Sequence, residues 1–480
     1  MIKNRYPLIE EVFTPLAAPE LFELIKDRPY SFFLDSGMDT QRLGRYSFLG
    51  SEPFLVMNSR GSEITLVRGQ EHEVQHGNPF DTIGKLLELY KLDYCPAPVP
   101  FVGGAVGYFS YDLCHFVEHL PSTAIDDLKL PECYFAFYDA IFAFDHLERR
   151  AYLVATGFPE MEEEQRLKRA RMRLEEMKNW LYPGYSVIAV SRSPAQNEEI
   201  TLKSNFTPEE YLKAVNRVRE YIAAGDVFQV NLSQRFQADL EIPPYELYKR
   251  LKRVNPAPFA SYINFPGVTI VSASPERFLK VQGDLVETRP IKGTRPRGRD
   301  PVEDQNLAQE LTRSIKDRAE NVMIVDLERN DLGRVCHYGT VKVTELAILE
   351  TFPTVFHLTS TIVGRLHRGK SEIDLLKATF PGGSITGAPK VRAMEIIDEL
   401  ETTKRSVYTG SIGYLSFNGD LDINIVIRTF VIKEGRAYFQ VGGGIIYDSD
   451  SEAEYMETLD KAKALIQALQ LAPEVVIASK

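Results

Sequence analysis

Arg289-Pro290-Ile291-Lys292-Gly293-Thr294-Arg295-Pro296-Arg297 sets one lysine among three arginines on a backbone stiffened by prolines. Lysine normally titrates near ~10.4 and is a poor nucleophile at neutral pH. Nearby cations and burial both disfavour its charged form. A lysine so placed becomes a free amine able to attack carbon. Taken alone, the stretch reads equally as a solvated basic loop, because Arg and Lys mostly lie at surfaces.

Its neighbours change that reading. Ser274-Pro275-Glu276-Arg277-Phe278 lies upstream, and Pro381-Gly382-Gly383-Ser384-Ile385-Thr386-Gly387-Ala388-Pro389-Lys390 lies downstream. In this order the three segments resemble the chorismate-utilising enzymes, over almost the whole chain and most densely from Phe228 to Lys461. The resemblance implies an α+β, two-lobed fold with large antiparallel sheets flanked by helices. It divides the chain into a 1–180 region contributing to a shared sheet body, a 181–206 connection, and a 207–480 chorismate-binding catalytic region.

Composition fits a soluble globular protein: 480 residues, 44% hydrophobic and 26% charged. A net charge of −11 argues against nucleic acid or an anionic membrane as the main partner. Cys95, Cys114, Cys133 and Cys336 form no C-x-x-C pair, so reduced thiols of a cytoplasmic protein are expected. The chain has no apolar run of ~18 residues, so no membrane span is expected. Neither a signal peptide nor a fused glutaminase domain is expected.

Local signals place the elements. Phe101 to Phe109 reads as a strand with glycine bends, and Glu162 to Trp180 as a charged helix. Thr207-Pro208-Glu209-Glu210 opens a helix through a capping box and ends near Gly225. Phe228 to Phe236 alternates like a strand. A single helix is expected from Glu303 to Asn330, with an apolar stripe of Leu311, Ile315, Val322 and Val325. Asp317 and Glu320 lie opposite that stripe. The last helix shows a stripe of Tyr455, Leu459, Ala462, Ile466 and Leu469, with Glu454 and Glu457 pointing away. Both acidic pairs therefore read as solvated faces, with Glu454 in a Ser451 capping box and Glu457 paired to Lys461.

The resemblance assigns these pairs differently. It implies that the two pairs converge on Mg²⁺, with Glu320 and Glu457 as best ligands and Asp317 and Glu454 acting directly or through water. Hard carboxylate oxygens suit Mg²⁺. Arg428, in an expected strand Ile425–Thr429, suits a substrate carboxylate through paired hydrogen bonds. Gly442-Gly443-Gly444, expected after a strand Ala437–Val441, let backbone amides approach an anion. By resemblance Lys461, Tyr414 and Thr386 are further substrate contacts. His357 lies near the departing hydroxyl, Glu276 is the general acid, and Lys292 is the covalent nucleophile.

Two positions choose among relatives. Anthranilate-forming members typically carry alanine in place of Lys292, and read Ala-Gly-Thr where this chain has Gly382-Gly383-Ser384-Ile385-Thr386. Isochorismate- and salicylate-forming members place a water-activating lysine where this chain has Gln229. The implied reaction is amination of chorismate at C4, using ammonia from a separate glutamine amidotransferase subunit, for 4-aminobenzoate and folate synthesis. C2 amination is the alternative; a non-catalytic chorismate binder is the remoter one. Leu34-Asp35-Ser36-Gly37, Arg45-Tyr46-Ser47 and Asn255-Pro256-Ala257-Pro258-Phe259 resemble a tryptophan pocket of relatives.

Overall fold

The computed structural model describes residues 5–36, 38–93, 96–181 and 201–470. Two twelve-stranded sheets dominate it, and every pairing between their strands is antiparallel. Helices flank them, as an α+β architecture requires. Strand alternation explains the layering. In the strand Ser31–Asp35, Phe32 joins the cluster that also holds Phe137 and Tyr414 of the other sheet. Its neighbour Phe33 points the other way, onto the helices Ala18–Ile25 and Pro244–Val254.

The first 180 residues supply strands to both sheets. Leu8–Val12, Ser31–Asp35 and Tyr46–Gly50 lie in one; Leu55–Arg60, Gly104–Phe109 and Cys133–Tyr138 lie in the other. Ser31–Asp35 pairs with Phe259–Phe265, and Gly104–Phe109 pairs with Ser411–Ser416, so the two halves of the chain interleave. Most of the 181–206 connection lies outside the described residues; Lys203–Ser204 within it adds a short edge strand.

Several local expectations hold. Thr207 caps Pro208–Ala224 with the reciprocal Glu210 bond, and Gly225 ends the helix at φ 85°. The charged helix runs Glu163–Leu181. Cys114, Cys133 and Cys336 are buried and free; Cys95 lies outside the described residues. Among the described residues no helix is long and apolar enough to cross a membrane.

Four expectations fail. The helix expected from Glu303 to Asn330 is two helices, Pro301–Arg313 and Ile315–Gly333, because Ser314 leaves the helical region and caps the second through Asp317 N–H. The second buries Asn321, Ile324, Val325, Glu328 and Asp331, while Ile315 and Val322 of the expected stripe are exposed. In Ser451–Gln470 the buried face starts at Glu454 and Thr458, and Asp450 rather than Ser451 caps the first turn. Ile425–Arg428 is not strand: it carries the chain from Leu421–Asn424 in one sheet to Thr429–Lys433 in the other. The three glycines do not follow a strand but lie within one, Arg436–Ile445, paired with Asn231, Leu232 and Ser233.

Candidate active site

The crossover at Ile425–Arg428 places an arginine between the sheets. Arg428 takes φ 54°, a left-handed conformation costly for a branched or bulky residue. Its Nη1 donates to the Lys461 carbonyl at 2.9 Å. Burial works against its charge, opposed by Tyr408 and Glu457. Lys461, on the last helix, donates from Nζ to the Gly442 carbonyl at 2.8 Å and pairs with Glu457 at 2.7 Å. That ion pair is the one expected from the i,i+4 spacing.

Gly443 faces the acids. A Cβ there would lie 3.2 Å from Glu454 Oε2 and 3.4 Å from Glu457 Oε1. Glu454 is buried against Ser449, whose hydroxyl donates at 2.6 Å. On the other flank of the strand, a Cβ at Gly444 would collide with Gln229 Nε2 at 1.9 Å. Gln229 is fully buried, and among the described residues neither of its side-chain polar atoms has a partner. An unmet buried amide is costly, and its position beside the glycine strand marks it as unspent.

Lys292 stands on the strand Ile291–Pro296 at the edge of the second sheet. Burial lowers its pKa, with Lys461 adding to the effect and Glu320, Glu276 and Glu457 opposing it. The three arginines of its own segment are not the cause. Arg289 pairs with Glu350 at 2.6 Å, Arg295 with Glu310 at 2.7 Å and Asp317 at 3.2 Å, and Arg297 with Asp304 at 2.7 Å. Their charges are spent on carboxylates.

Glu276 is buried, and burial raises its carboxyl to about 7. The Ser384 hydroxyl, the Ile291 N–H (3.3 Å) and Lys292 pull it partway back. His357 is pushed down to about 3 by burial and by Arg428, so its imidazole is neutral at working pH. Its Nδ1 meets the Thr294 hydroxyl at 2.9 Å.

Glu320 lies opposite the last helix. Burial raises it; Lys292 and Lys316 oppose, while Asp317 and Glu457 raise it further. Burial raises Glu457 too, but Lys461, Lys316 and Lys292 outweigh it and hold the carboxylate ionised. Glu320, Glu457 and Glu454 thus share one field, across Gly443. They are not drawn into a ready-made cage: among the described residues no three such side chains are gathered closely enough to hold a metal. Asp317 is partly spent on Arg295.

Thr386 turns inward, donating from its hydroxyl to the Gly382 carbonyl at 3.1 Å. Tyr414 lies elsewhere. It stacks on Phe101 at 4.6 Å and lines a cavity of about 280 Å³ between the sheets, with Leu34, Ser36, Arg45, Tyr46 and Phe259. Asp35 points away from that cavity to Tyr248 and Lys252, Pro258 does not line it, and Gly37 lies outside the described residues. The tyrosine electrostatically coupled to Arg428 is Tyr408, which the sequence reading missed. Val407-Tyr408-Thr409-Gly410 leads into the strand Ser411–Ser416, and Thr409 and Gly410 exchange backbone bonds with Val426 of the crossover. Ser384 and Glu328, both buried beside Glu276, were missed as well.

The family model described as chorismate binding enzyme matches residues 30–467. Anthranilate synthase component 1 of Acetivibrio thermocellus is 40% identical, covering 98% of this chain and 97% of that protein. Aminodeoxychorismate synthase component 1 of Salmonella typhimurium is 42% identical, covering 98% of this chain and all of that protein. Among solved structures, anthranilate synthase component I from Streptococcus pneumoniae superimposes with a TM-score of 0.75 at 35% identity, covering 87% of this chain and 91% of that one. The chain belongs to the chorismate-binding enzymes. Relatives of both amination types are equally alike, so identity does not separate them.

Proposed function

We propose that this chain is an aminodeoxychorismate synthase component I, converting chorismate to 4-amino-4-deoxychorismate with ammonia from a separate glutamine amidotransferase subunit. The product would feed 4-aminobenzoate and folate synthesis in the cytoplasm. The observation that carries this reading is Lys292: a half-buried amine with a lowered pKa, beside Glu276, and engaged in no ion pair among the described residues. Anthranilate-type relatives typically carry alanine there. Gln229, buried with its amide unspent, stands where water-activating relatives carry lysine, which favours ammonia over water as the final nucleophile.

The chemistry follows from the side chains. Arg428 and Lys461 hold the carboxylates of chorismate, with the Gly442–Gly444 strand and Tyr408 beside them. Thr386 shapes the loop that carries Ser384, and the neutral His357 orients the C4 hydroxyl. Glu276, with a carboxyl near 7, keeps a proton at neutral pH and delivers it to the C4 oxygen, which leaves as water. The Lys292 amine attacks C2 as both ring double bonds shift and the C4–O bond breaks, leaving a secondary ammonium at C2. Ammonia then bonds to C4, both double bonds shift back, and the C2–N bond breaks to release the neutral Lys292 amine, with the positive charge now on the C4 ammonium. Splitting one displacement into two is the advantage of covalent catalysis.

Mg²⁺ fits the donor set: Glu320 and Glu457, with Glu454 and Asp317 behind them, are hard oxygen ligands whose mutual repulsion a cation relieves. When bound it would supply charge for a substrate carboxylate. Product analysis tests the reading. With chorismate, magnesium and ammonium, the expected main product is 4-amino-4-deoxychorismate; anthranilate as the main product overturns it in favour of C2 amination.

A further inference from the structure

Behind Glu276 lies a second buried carboxyl that the reaction above does not use. Glu328, on the helix Ile315–Gly333, is 2% exposed. Its Oε1 accepts the Gly383 N–H at 3.1 Å, and its Oε2 is buried with no partner among the described residues. Three residues on, Asp331 holds the Lys390 ammonium, which also donates to the carbonyls of Thr379 at 2.8 Å and Pro381 at 2.9 Å. The two acids of one helix therefore grip both sides of the turn that carries Ser384. The far side of that turn is fixed by Asn231 Nδ2 on the Ser384 carbonyl (3.1 Å) and by Arg405 on the Ile385 carbonyl (3.0 Å). Space at the contact is tight: a Cβ on Gly383 would lie 2.6 Å from Leu327 Cδ2 and 3.2 Å from Glu328 Oε1. A side chain at this position would have to displace the Leu327 side chain and press on the carboxylate.

We propose that Glu328 is a positioning residue: through the Gly383 amide it holds the turn that sets the Ser384 hydroxyl against Glu276. The proposal rests on the reading that Glu276 is the proton donor. It does not depend on whether C2 or C4 is aminated, because the C4 hydroxyl leaves in both.

Burial raises Glu328 to about 7, with Asp331 adding to the rise, Lys390 and the Gly383 N–H opposing it, and Glu276 raising it again. Glu276 in turn faces Lys292 and Ser384. Two buried carboxyls in one field release their protons in two coupled steps. Once Glu328 is ionised, its charge makes the proton of Glu276 harder to remove.

The test is the pH dependence of kcat, with chorismate, magnesium and ammonium, in the intact chain. Glu328→Gln keeps an oxygen for the Gly383 amide, so its kcat at the optimum should stay within about twofold of the wild type. Glu328→Leu removes the acceptor. Its kcat should fall about tenfold at every pH while KM for chorismate changes about twofold or less. A Glu328→Gln kcat that falls as far as that overturns the proposal, as does full kcat in a folded Glu328→Leu. Should Glu328→Leu not fold, the Glu328→Gln kcat decides alone. Glu276→Gln separates the underlying reading: full activity in that variant removes Glu276 as the acid, and with it the premise rather than the geometry.

Discussion

Two basic sites lie within this molecule and treat their cations oppositely. In the cavity between the sheets, arginines are matched to acids. Arg45 meets Asp145 at 2.7 Å, and Arg277 meets Asp422 at 2.9 Å and Glu287 at 2.7 Å. In the cleft, Lys292 forms no ion pair among the described residues, and the one hydrogen bond found for Arg428 goes to a backbone carbonyl. Paired charges hold strands together; unspent ones are available to a substrate with two carboxylates. Catalytic groups are kept in environments that perturb them, at a cost in stability. The two regions should therefore respond oppositely to substitution.

The largest effect expected is at Lys292. Lys292→Ala should lose C4 amination by on the order of 10³-fold, with chorismate affinity nearly unchanged, because the lost bond forms only during reaction. An electrophilic chorismate analogue should label Lys292 and leave the variant unlabelled by intact mass. Labelling at another residue, or full C4 amination by the variant, would make Lys292 only an anion-binding cation and erase the contrast with the arginines.

A smaller effect belongs to the acids. Glu320→Gln or Glu457→Gln should raise the magnesium concentration for half-maximal activity by about tenfold or more, since each removes charge and ligand from a hard-cation site. Unchanged magnesium dependence would return both residues to the solvated faces that periodicity suggests.

Those faces show where sequence reading reaches and where it stops. The Thr207–Glu210 cap was legible because its bonds span three residues. The buried stripe of Ile315–Gly333 was not, because half of its inward positions, Asn321, Glu328 and Asp331, are ones that hydropathy scores as surface, beside the apolar Ile324, Val325 and Leu332. Their partners, Ser360, Gly383 and Lys390, lie far along the chain. Likewise Ile425–Ile427 are apolar like a strand, yet Arg428 breaks the run with a positive φ where the chain changes sheets. The long motifs carried the family and the architecture. That Tyr408 lies in the field of Arg428 depended on that crossover, which sequence alone does not reveal.

The cleft should also cost stability. Glu276 has a folded pKa raised from 4.5 to about 7. Between those values the native state binds more protons than the unfolded chain, so its contribution falls as pH rises through that window and stays unfavourable above it. Glu276→Gln removes the ionisable group. At pH 8 it should be inactive yet more stable than the wild type, by on the order of 1–3 kcal/mol in urea unfolding. At pH 4 the gain should vanish. A variant less stable than the wild type at pH 8 would place Glu276 among the structural acids.

The smallest effect is expected in the cavity, with the opposite sign. Burial alone would raise Asp145, but the bond from Arg45 and the amides of Glu148 and Leu147 outweigh it and hold the carboxyl below its usual value. A depressed carboxyl contributes stability above its unfolded pKa, lost as pH falls through the folded value. Arg45→Ala leaves the two amides in place, so Asp145 is weakened rather than orphaned. The cost should be about 1 kcal/mol at pH 7, the scale of a charge-assisted hydrogen bond partly open to water. The midpoint of acid unfolding should rise, because Asp145 then takes its proton at higher pH. Amination of saturating chorismate should stay within about twofold of the wild type, since no reacting atom is touched. Stability at pH 7 and the acid midpoint should move together. A large loss of kcat with both unchanged would show that the cavity, paired as its arginines are, communicates with the cleft.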